Sequence, residues 1–359
     1  MPAAFRAIVV GTGGFGAQWC TAFLPPFVRE GRIDVVAAVD ANPLALQHAS
    51  EGLGVPPSRC YTSAKDAFER HPADFCILVV PPAFREELVR LALAHGMHIL
   101  SEKPIADTLE ASIRIARSVR SAGKKMGVAM SRRYERDKEA LRGALRSGAH
   151  GALDYLILRH TCDLRKYGSW GAYRHRMPDP LLTESAPHRL DLLADLAGAP
   201  CETVYAQTWR PPWAEFAGDC QALVTMTFAN GVRALFEGGY ANAVELNGFG
   251  EEYIRAECER STVVLHRKRV EAFPHSPERS GPAQEGEGAE IAPPDRERWG
   301  HGRVIEQFLD WLEGGEPMET RVDENLKLAA LCSAAIESSR TGKPIRVETY
   351  FEETDAKVK

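Results

Sequence analysis

The fold is decided near the N-terminus by the stretch Arg6-Ala7-Ile8-Val9-Val10-Gly11-Thr12-Gly13-Gly14-Phe15-Gly16. An apolar strand runs straight into a glycine motif that opens a helix, as a dinucleotide-binding turn requires. The glycines permit a tight turn, a close approach of backbone to phosphate, and close packing of helix on strand. The N–H groups at the start of the helix then suit a pyrophosphate. The alternative is a glycine-rich turn that binds no ligand.

Short apolar strands and helical segments alternate along the first third of the chain. We predict strands at 7–10, 35–39, 75–80, 97–100 and 125–130, and helices from the glycine motif to residue 24 and at 84–95 and 108–123. This alternation is typical of βαβ units on a parallel sheet. The sequence therefore predicts an α/β Rossmann domain over residues 1–131.

The pattern changes after Tyr134. We predict strands at 153–161, 203–209, 222–228, 233–239, 253–258, 262–266 and 345–350, and helices at 138–147, 304–312 and 326–339. Asn230-Gly231 lies between two of these strands and is a strong hairpin signal. Residues 132–359 thus form a predicted α+β domain with a large, mostly antiparallel open sheet, in which 274–298 is a surface loop.

Composition narrows the class of protein. A single hydrophobic core rarely grows beyond about 250–300 residues. A chain of 359 residues is therefore long enough for two domains. Its net charge of −5 leaves no basic surplus for nucleic acid. The eight cysteines form no CxxC pair and no cluster with histidine, which argues against zinc and for reduced thiols. No membrane-spanning run or signal-peptide pattern is visible, so we expect a cytoplasmic protein.

Asp40 ends the second strand, where an acidic side chain accepts hydrogen bonds from an adenosine ribose. Its charge repels a 2′-phosphate, and the next residues, Ala41 and Asn42, are not arginine. The sequence therefore favours NAD over NADP. The alternative is that Asp40 caps the turn at Asn42-Pro43.

Glu102-Lys103-Pro104 follows a short buried strand. Ligands of open α/β sheets bind outside the carboxyl ends of the strands, so a lysine there indicates a catalytic group or an anion anchor. A salt bridge between Lys103 and Glu102 is the alternative.

A second group of polar residues is Glu184-Ser185-Ala186-Pro187-His188-Arg189-Leu190-Asp191. Pro187 suits the first turn of a helix. A histidine in that turn tends to stay neutral, which favours a general base at His188, and Glu184 is placed to orient it or to touch substrate. We expect His188, Asp191 and Asp195 on one polar stripe. A helix cap or surface pair is the alternative.

These motifs, in this order, resemble the glucose–fructose oxidoreductase / inositol dehydrogenase / rhizopine-catabolism (Gfo/Idh/MocA) family. The resemblance covers nearly the whole chain and also includes Pro81-Pro82, Arg133-Tyr134 and the glycines at 148 and 151. It implies a Rossmann domain and an antiparallel-sheet domain, a nicotinamide cofactor, and a sugar, glycoside or cyclitol substrate. It also implies homodimers or homotetramers that pair through the C-terminal sheet.

By this resemblance Lys103 matches the catalytic lysine and His188 the acid/base histidine. Glu184 stands where an aspartate is usual, and Arg85 stands where a histidine is often found. The resemblance implies cofactor contacts from Gly11, Thr12, Gly13, Gly14, Phe15, Gly16, Asp40, Pro81, Glu102 and Lys103. The candidates for substrate contact are Lys103, Arg133, His160, Trp170, Tyr173, Arg176, Glu184 and His188.

The leading hypothesis is reversible oxidation of a secondary alcohol. His188 takes the hydroxyl proton, Lys103 stabilises the alkoxide, and hydride passes to the nicotinamide. Two alternatives remain. One is an NAD-dependent glycosidase that works by transient oxidation, and the other is a dinucleotide sensor without catalysis.

Overall fold

The first sheet is a parallel Rossmann sheet. The computed structural model describes residues 3–279 and 281–358. Within these residues, six parallel strands lie in the order β3-β2-β1-β4-β5-β6. They are β1 (Phe5–Val10), β2 (Ile33–Val39), β3 (Cys60–Tyr61), β4 (Phe75–Leu78), β5 (His98–Glu102) and β6 (Met126–Ala129). Helices cover both faces of a parallel sheet of this kind, so the apolar side chains of β1 and β2 are almost all buried.

The helices of this part begin at the glycine motif. They are α1 (Phe15–Gln18), α2 (Pro25–Arg29), α3 (Gln47–Leu53), α4 (Ala64–Arg70), α5 (Arg85–Ala94) and α6 (Leu109–Ser121). A π-helical turn, Trp19–Phe23, joins α1 to α2. The sequence predicts a single helix that ends at residue 24. The structure instead has α1, the π-helical turn and α2 in succession, and α2 ends at Arg29. Proline begins α2, where its missing N–H is no loss.

The second sheet is large and mostly antiparallel, as predicted. Its order is β14-β13-β12-β11-β7-β10-β9-β8-β15, and only the β7–β10 pair is parallel among the described residues. The strands are β7 (Leu153–Thr161), β8 (Cys201–Trp209), β9 (Gln221–Phe228), β10 (Arg233–Gly239), β11 (Tyr253–Cys258), β12 (Ser261–His266), β13 (Arg269–Pro274), β14 (Ala289–Glu290) and β15 (Ile345–Arg346). The predicted fold class is thus confirmed in both sheets.

One face of the second sheet is buried and the other is open. Burial alternates along β9 and β12, which is the period of a half-covered strand. The helix α7 (Arg136–Arg146) contacts β12 and β13, and α9 (Ala186–Ala197) packs on β7 and β10. The short helix α8 (Ala172–His175) lies between α7 and α9 in the chain. The predicted hairpin at Asn230-Gly231 joins β9 to β10, with a φ of 87° at Gly231.

Two compact units divide the chain differently from the predicted domains. The first takes the described part of Met1–Ser131 together with Arg298–Ala329 and Thr354–Lys359, and the second takes Arg132–Glu297 and Ala330–Glu353. Hence α10 (His301–Leu312) belongs to the first unit. Its Phe308 is buried against Phe75 of β4, with the ring centroids 5.4 Å apart. Thr320 Oγ1 also donates to the carbonyl of Val128 at 2.7 Å.

The last predicted strand is wrong. Only Ile345 and Arg346 pair with β8, and the chain continues as the helix α12 (Val347–Asp355). The segment has an alternating pattern at first, but Val347 and Thr354 are buried seven residues apart, which is two helical turns. The predicted 274–298 loop contains the short β14, and its residue 280 lies outside the described residues. No helix of the described residues, including α11 (Val322–Thr341), is long and apolar enough to cross a membrane.

Phe308→Ala tests the packing of α10 on the first sheet. Because the ring is fully buried, we expect a loss of about 3–5 kcal/mol in the free energy of unfolding, measured by chemical denaturation. Phe84→Ala is the matched control, since that ring is 60% exposed. Equal stabilities of the two variants would contradict this packing.

Candidate active site

The glycine motif forms a turn that is bare of side chains on its outer edge. Gly11 has a φ of 90°, and a Cβ there would lie 2.2 Å from the carbonyl oxygen of Val79. Gly14 has a φ of 53°, is exposed, and would carry a Cβ into open space. The remaining members are a buried Thr12, a partly exposed Gly13, an exposed Phe15 and a buried Gly16. A close-packed turn with an open edge fits a pyrophosphate group.

Asp40 holds this turn from the end of β2. Its Oδ2 accepts hydrogen bonds from the backbone N–H of Thr12 at 2.8 Å and of Gly13 at 2.9 Å. Its Oδ1 accepts from the N–H of Asn42 at 2.9 Å, so Asp40 also caps the turn proposed as the alternative. The ribose contact stays a prediction. The carboxylate fixes the glycine turn beside the place where that ribose is expected.

Lys103 lies at the carboxyl end of the parallel sheet. It directly follows β5, which pairs with β4, and Pro81 follows the end of β4. The Lys103 side chain is partly exposed, and the peptide bond to Pro104 is cis. This is the edge of an α/β sheet at which ligands bind.

The carboxylate of Glu102 is turned into the protein. Its Oε1 accepts from Trp19 Nε1 at 2.9 Å and lies 3.1 Å from His301 Nε2, while Oε2 accepts from the N–H of Lys103 at 3.2 Å. Burial is the largest effect and raises the pKa of Glu102, but the hydrogen bonds of His301 and Trp19 and the charges of His301 and Lys103 together outweigh it, and the pKa is lowered overall. A lowered pKa contributes stability above the unfolded-state pKa, and this stability is lost as pH falls through the folded pKa. The predicted cofactor contact of Glu102 stays a prediction beside this structural role.

Arg85 holds the backbone on both sides of Lys103. Its guanidinium donates to the carbonyl oxygens of Glu102 and Pro104, and to that of Val80 at 2.8 and 3.0 Å. The side chain is buried at the start of α5. The sequence marked Arg85 only as a departure from the family pattern and gave it no role.

In the second unit, His188 lies in the first turn of α9. A π-helical turn, Leu181–Ser185, leads into this helix, and Pro187 lies in its first turn as predicted. His188 is partly exposed, whereas Leu190 and Leu193 are buried. The π-helical turn places Glu184 one turn ahead of His188, and such turns are frequent at functional sites.

The residue after His188 anchors the helix. Arg189 is buried, donates to the carbonyl of Ser185 at 3.1 Å, and forms an ion pair with the buried Glu252. Lys138 Nζ lies 3.1 Å from the other oxygen of Glu252. Burial raises the pKa of Glu252, but the charges of Arg189 and Lys138 hold it well below its usual range. The start of α9 is therefore tied to a fixed negative charge.

Glu184 lies beside a cation that sequence reasoning missed. Its Oε2 is 3.5 Å from Arg174 Nε, and the Arg174 guanidinium lies 4.4 Å from the ring centre of Trp170. The ring of Trp170 is 4.9 Å from that of Tyr240. The structure thus brings Glu184 and Trp170 together through Arg174. The unusual glutamate was the only sequence signal for such a partner.

Two predicted substrate contacts, His160 and Arg133, have partners within the second unit. His160 has no exposed surface, and its Nδ1 lies 3.3 Å from Arg189 Nη2, while its substrate contact stays a prediction. Burial and the charge of Arg189 also hold the pKa of His160 well below its usual value. Arg133 Nε donates to Asp191 at 2.9 Å and Nη1 to Asp195 at 3.2 Å. Asp191 and Asp195, two members of the polar stripe predicted along α9, thus form ion pairs with Arg133. A substrate contact from Arg133 stays a prediction.

The remaining candidates lie on the segment that carries α8. Tyr173 is exposed, and its ring lies 4.5 Å from the Arg174 guanidinium. Arg176 is exposed and donates to the hydroxyl of Tyr167 at 2.9 Å. Their accessibility is compatible with ligand contact.

The chain belongs to the Gfo/Idh/MocA family of oxidoreductases. Residues 5–130 match the family's NAD-binding Rossmann fold, and residues 152–347 match its C-terminal alpha/beta domain. The glycine turn described above fits the cofactor of that fold. The protein is accordingly an NAD-dependent oxidoreductase.

Three relatives show the range of the similarity. The chain is 46% identical to the uncharacterized protein y4oX of Sinorhizobium fredii, over 97% of both chains. It is 30% identical to the inositol 2-dehydrogenase of Corynebacterium glutamicum (strain ATCC 13032), over 55% of this chain and 56% of that one. Among solved structures, the WlbA dehydrogenase of Bordetella pertussis, in complex with NADH and UDP-GlcNAcA, has a TM-score of 0.79 at 22% identity. That match covers 96% of this chain and 98% of WlbA.

Asp40→Ala tests the role of the carboxylate in the glycine turn. Removing the acceptor of two backbone N–H groups loosens the turn, and each such bond to a charged group contributes about 1.5–3 kcal/mol. We expect the Kd for NAD, measured by calorimetry, to rise at least tenfold, and the preference for NAD over NADP to shrink. Asp34→Ala, on the exposed part of β2, is the control. An unchanged Kd would contradict the assignment.

Proposed function

We propose that this enzyme interconverts a secondary alcohol and a ketone on a sugar, glycoside or cyclitol. The observation that carries the proposal is the position of Lys103, which leaves the carboxyl end of β5 on a turn held by Glu102. A lysine at that edge of an NAD-binding sheet is suited to a substrate oxygen. The family membership and the similarity to an inositol dehydrogenase support this class of substrate.

The roles of the two candidate catalytic side chains follow from their chemistry. Bound NAD supplies the acceptor for the hydride. The ammonium group of Lys103 donates a hydrogen bond to the oxygen that becomes an alkoxide. The imidazole of His188 takes the hydroxyl proton, and in the reverse direction it returns that proton to the alcohol oxygen. General-base help of this kind contributes about 10²–10⁴ in rate.

The second unit offers groups that match a polyhydroxylated ring. The Glu184 carboxylate accepts hydrogen bonds from hydroxyl groups, and Trp170 offers an aromatic face beside it. Arg174 orients Glu184 and balances its charge. We propose that Glu184 fixes the substrate and orients His188, four residues further along the chain. We also propose that copies of the chain pair through the open face of the second sheet.

Lys103→Met and His188→Gln test these roles. Each should lower kcat at least a hundredfold, because an oxyanion donor contributes about 10²–10³ and a general base about 10²–10⁴. The Kd for NAD should change little. The matched controls are Lys65→Met on the exposed side of α4 and His275→Gln in the exposed segment just after β13. Full turnover in both active-site variants would contradict the mechanism.

The substrate is identified by following NADH formation with a panel of inositols, aldoses and glycosides, with NADP in parallel. We expect steady NADH formation with at least one polyol and a preference for NAD. Release of product from a glycoside without net NADH would instead support transient oxidation in a glycosidase. Tight NAD binding without turnover on any panel member would support a sensor.

A further inference from the structure

We propose that Arg85 and His301 are positioning residues that together fix Lys103. The inference rests on the function proposed above for Lys103. Neither side chain belongs to the glycine motif or to the Glu102-Lys103-Pro104 turn.

Arg85 acts on the backbone. The two residues flanking Lys103 are Glu102 and Pro104, and both of their carbonyl oxygens accept hydrogen bonds from Arg85 Nη1. The same guanidinium reaches the carbonyl of Val80 at the end of β4. A planar group with five N–H donors can bind three carbonyl oxygens at once, which a lysine cannot copy. Arg85 therefore joins the ends of two parallel strands on both sides of Lys103.

His301 acts on the side chain of Glu102. Its Nε2 lies 3.1 Å from Glu102 Oε1, and a carboxylate only accepts, so this nitrogen carries the proton. The imidazole stacks on Phe23 with the ring centroids 4.2 Å apart and the planes 4° apart. The edge of the ring also meets Trp19, the other donor to Glu102 Oε1. These aromatic contacts hold the imidazole in one orientation.

The combined effect is a turn held from two directions. Arg85 fixes the carbonyl groups on either side of Lys103, while His301 and Trp19 fix the carboxylate that accepts from the Lys103 N–H. A catalytic group that shifts by about 1 Å can lose about 10² in rate. The two positioning residues therefore affect catalysis through Lys103 without contacting the substrate.

The test uses two conservative variants. Arg85→Lys keeps the positive charge, and His301→Gln replaces the imidazole N–H by an amide N–H donor. We expect kcat to fall about 10–100-fold in each, while the Kd for NAD changes little. Backbone hydrogen exchange over residues 99–107, measured on the NAD-free protein, should become faster. Arg90→Lys, on the exposed side of α5, and His275→Gln are the matched controls and should match the wild type.

A double-mutant cycle separates positioning from general stability. In the Lys103→Met background, Arg85→Lys and His301→Gln should cause no further loss of kcat, because the group they position is absent. Additive losses in both backgrounds, or unchanged kcat and hydrogen exchange in the single variants, would overturn this inference and leave the proposed function intact. If Lys103→Met alone left kcat unchanged, the proposed function and this inference would both fail.

If Arg85→Lys did not fold, His301→Gln alone would decide the outcome, because the His301 side chain reaches the turn through the carboxylate of Glu102. The melting temperature of each variant shows whether it folds. Substituting the neighbouring donor, as in Trp19→Phe, gives a second variant. It should act in the same direction as His301→Gln, since it removes the other hydrogen bond to Glu102 Oε1.

Discussion

A buried, ionised carboxylate at Glu102 is the constraint on which the first unit depends. A charge away from water is costly unless donors surround it. Trp19 from the glycine-motif helix, His301 from α10 and the N–H of Lys103 supply those donors. The glycine motif, the C-terminal α10 and the lysine turn must therefore be correctly placed before the charge is satisfied. His301, 199 positions from Glu102 in the chain, thus takes part in holding the segment that carries Lys103.

In the second unit, the buried charge next to the candidate catalytic residue is positive. His188 is followed by Arg189, a buried cation paired with Glu252, as Lys103 is preceded by a buried anion. Breaking such a buried pair from one side typically costs about 3–5 kcal/mol. Each candidate catalytic side chain is thus next in sequence to a buried charge whose partners come from distant segments. The partly exposed group can then face a ligand while its backbone stays fixed.

Features that depend on a few neighbouring residues could be predicted from the sequence. The strand leading into Gly11, the hairpin at Asn230 and Pro187 at the start of α9 are all set by a few neighbouring residues, and the structure has them as predicted. Long-range placement could not be predicted in this way. Residues 345–350 alternate like a strand, yet most of them form a helix because Val347 and Thr354 find a buried surface. The partners of the site residues, such as Arg85 and His301, are likewise invisible without the fold.

The central claim is that the charge of Glu102 holds the lysine turn in working order. The most direct measurement is the single-turnover rate of NADH formation in Glu102→Gln at saturating NAD and substrate, together with the melting temperature. The neutral amide has one acceptor oxygen in place of two, so its NH2 group must face either the Lys103 N–H or the Trp19 and His301 donors. The hydrogen bonds that remain are weaker, since bonds to a charged group are roughly twice as strong. The account predicts a rate at least tenfold below that of the wild type and a lower melting temperature. A rate and a melting temperature equal to those of the wild type would contradict it.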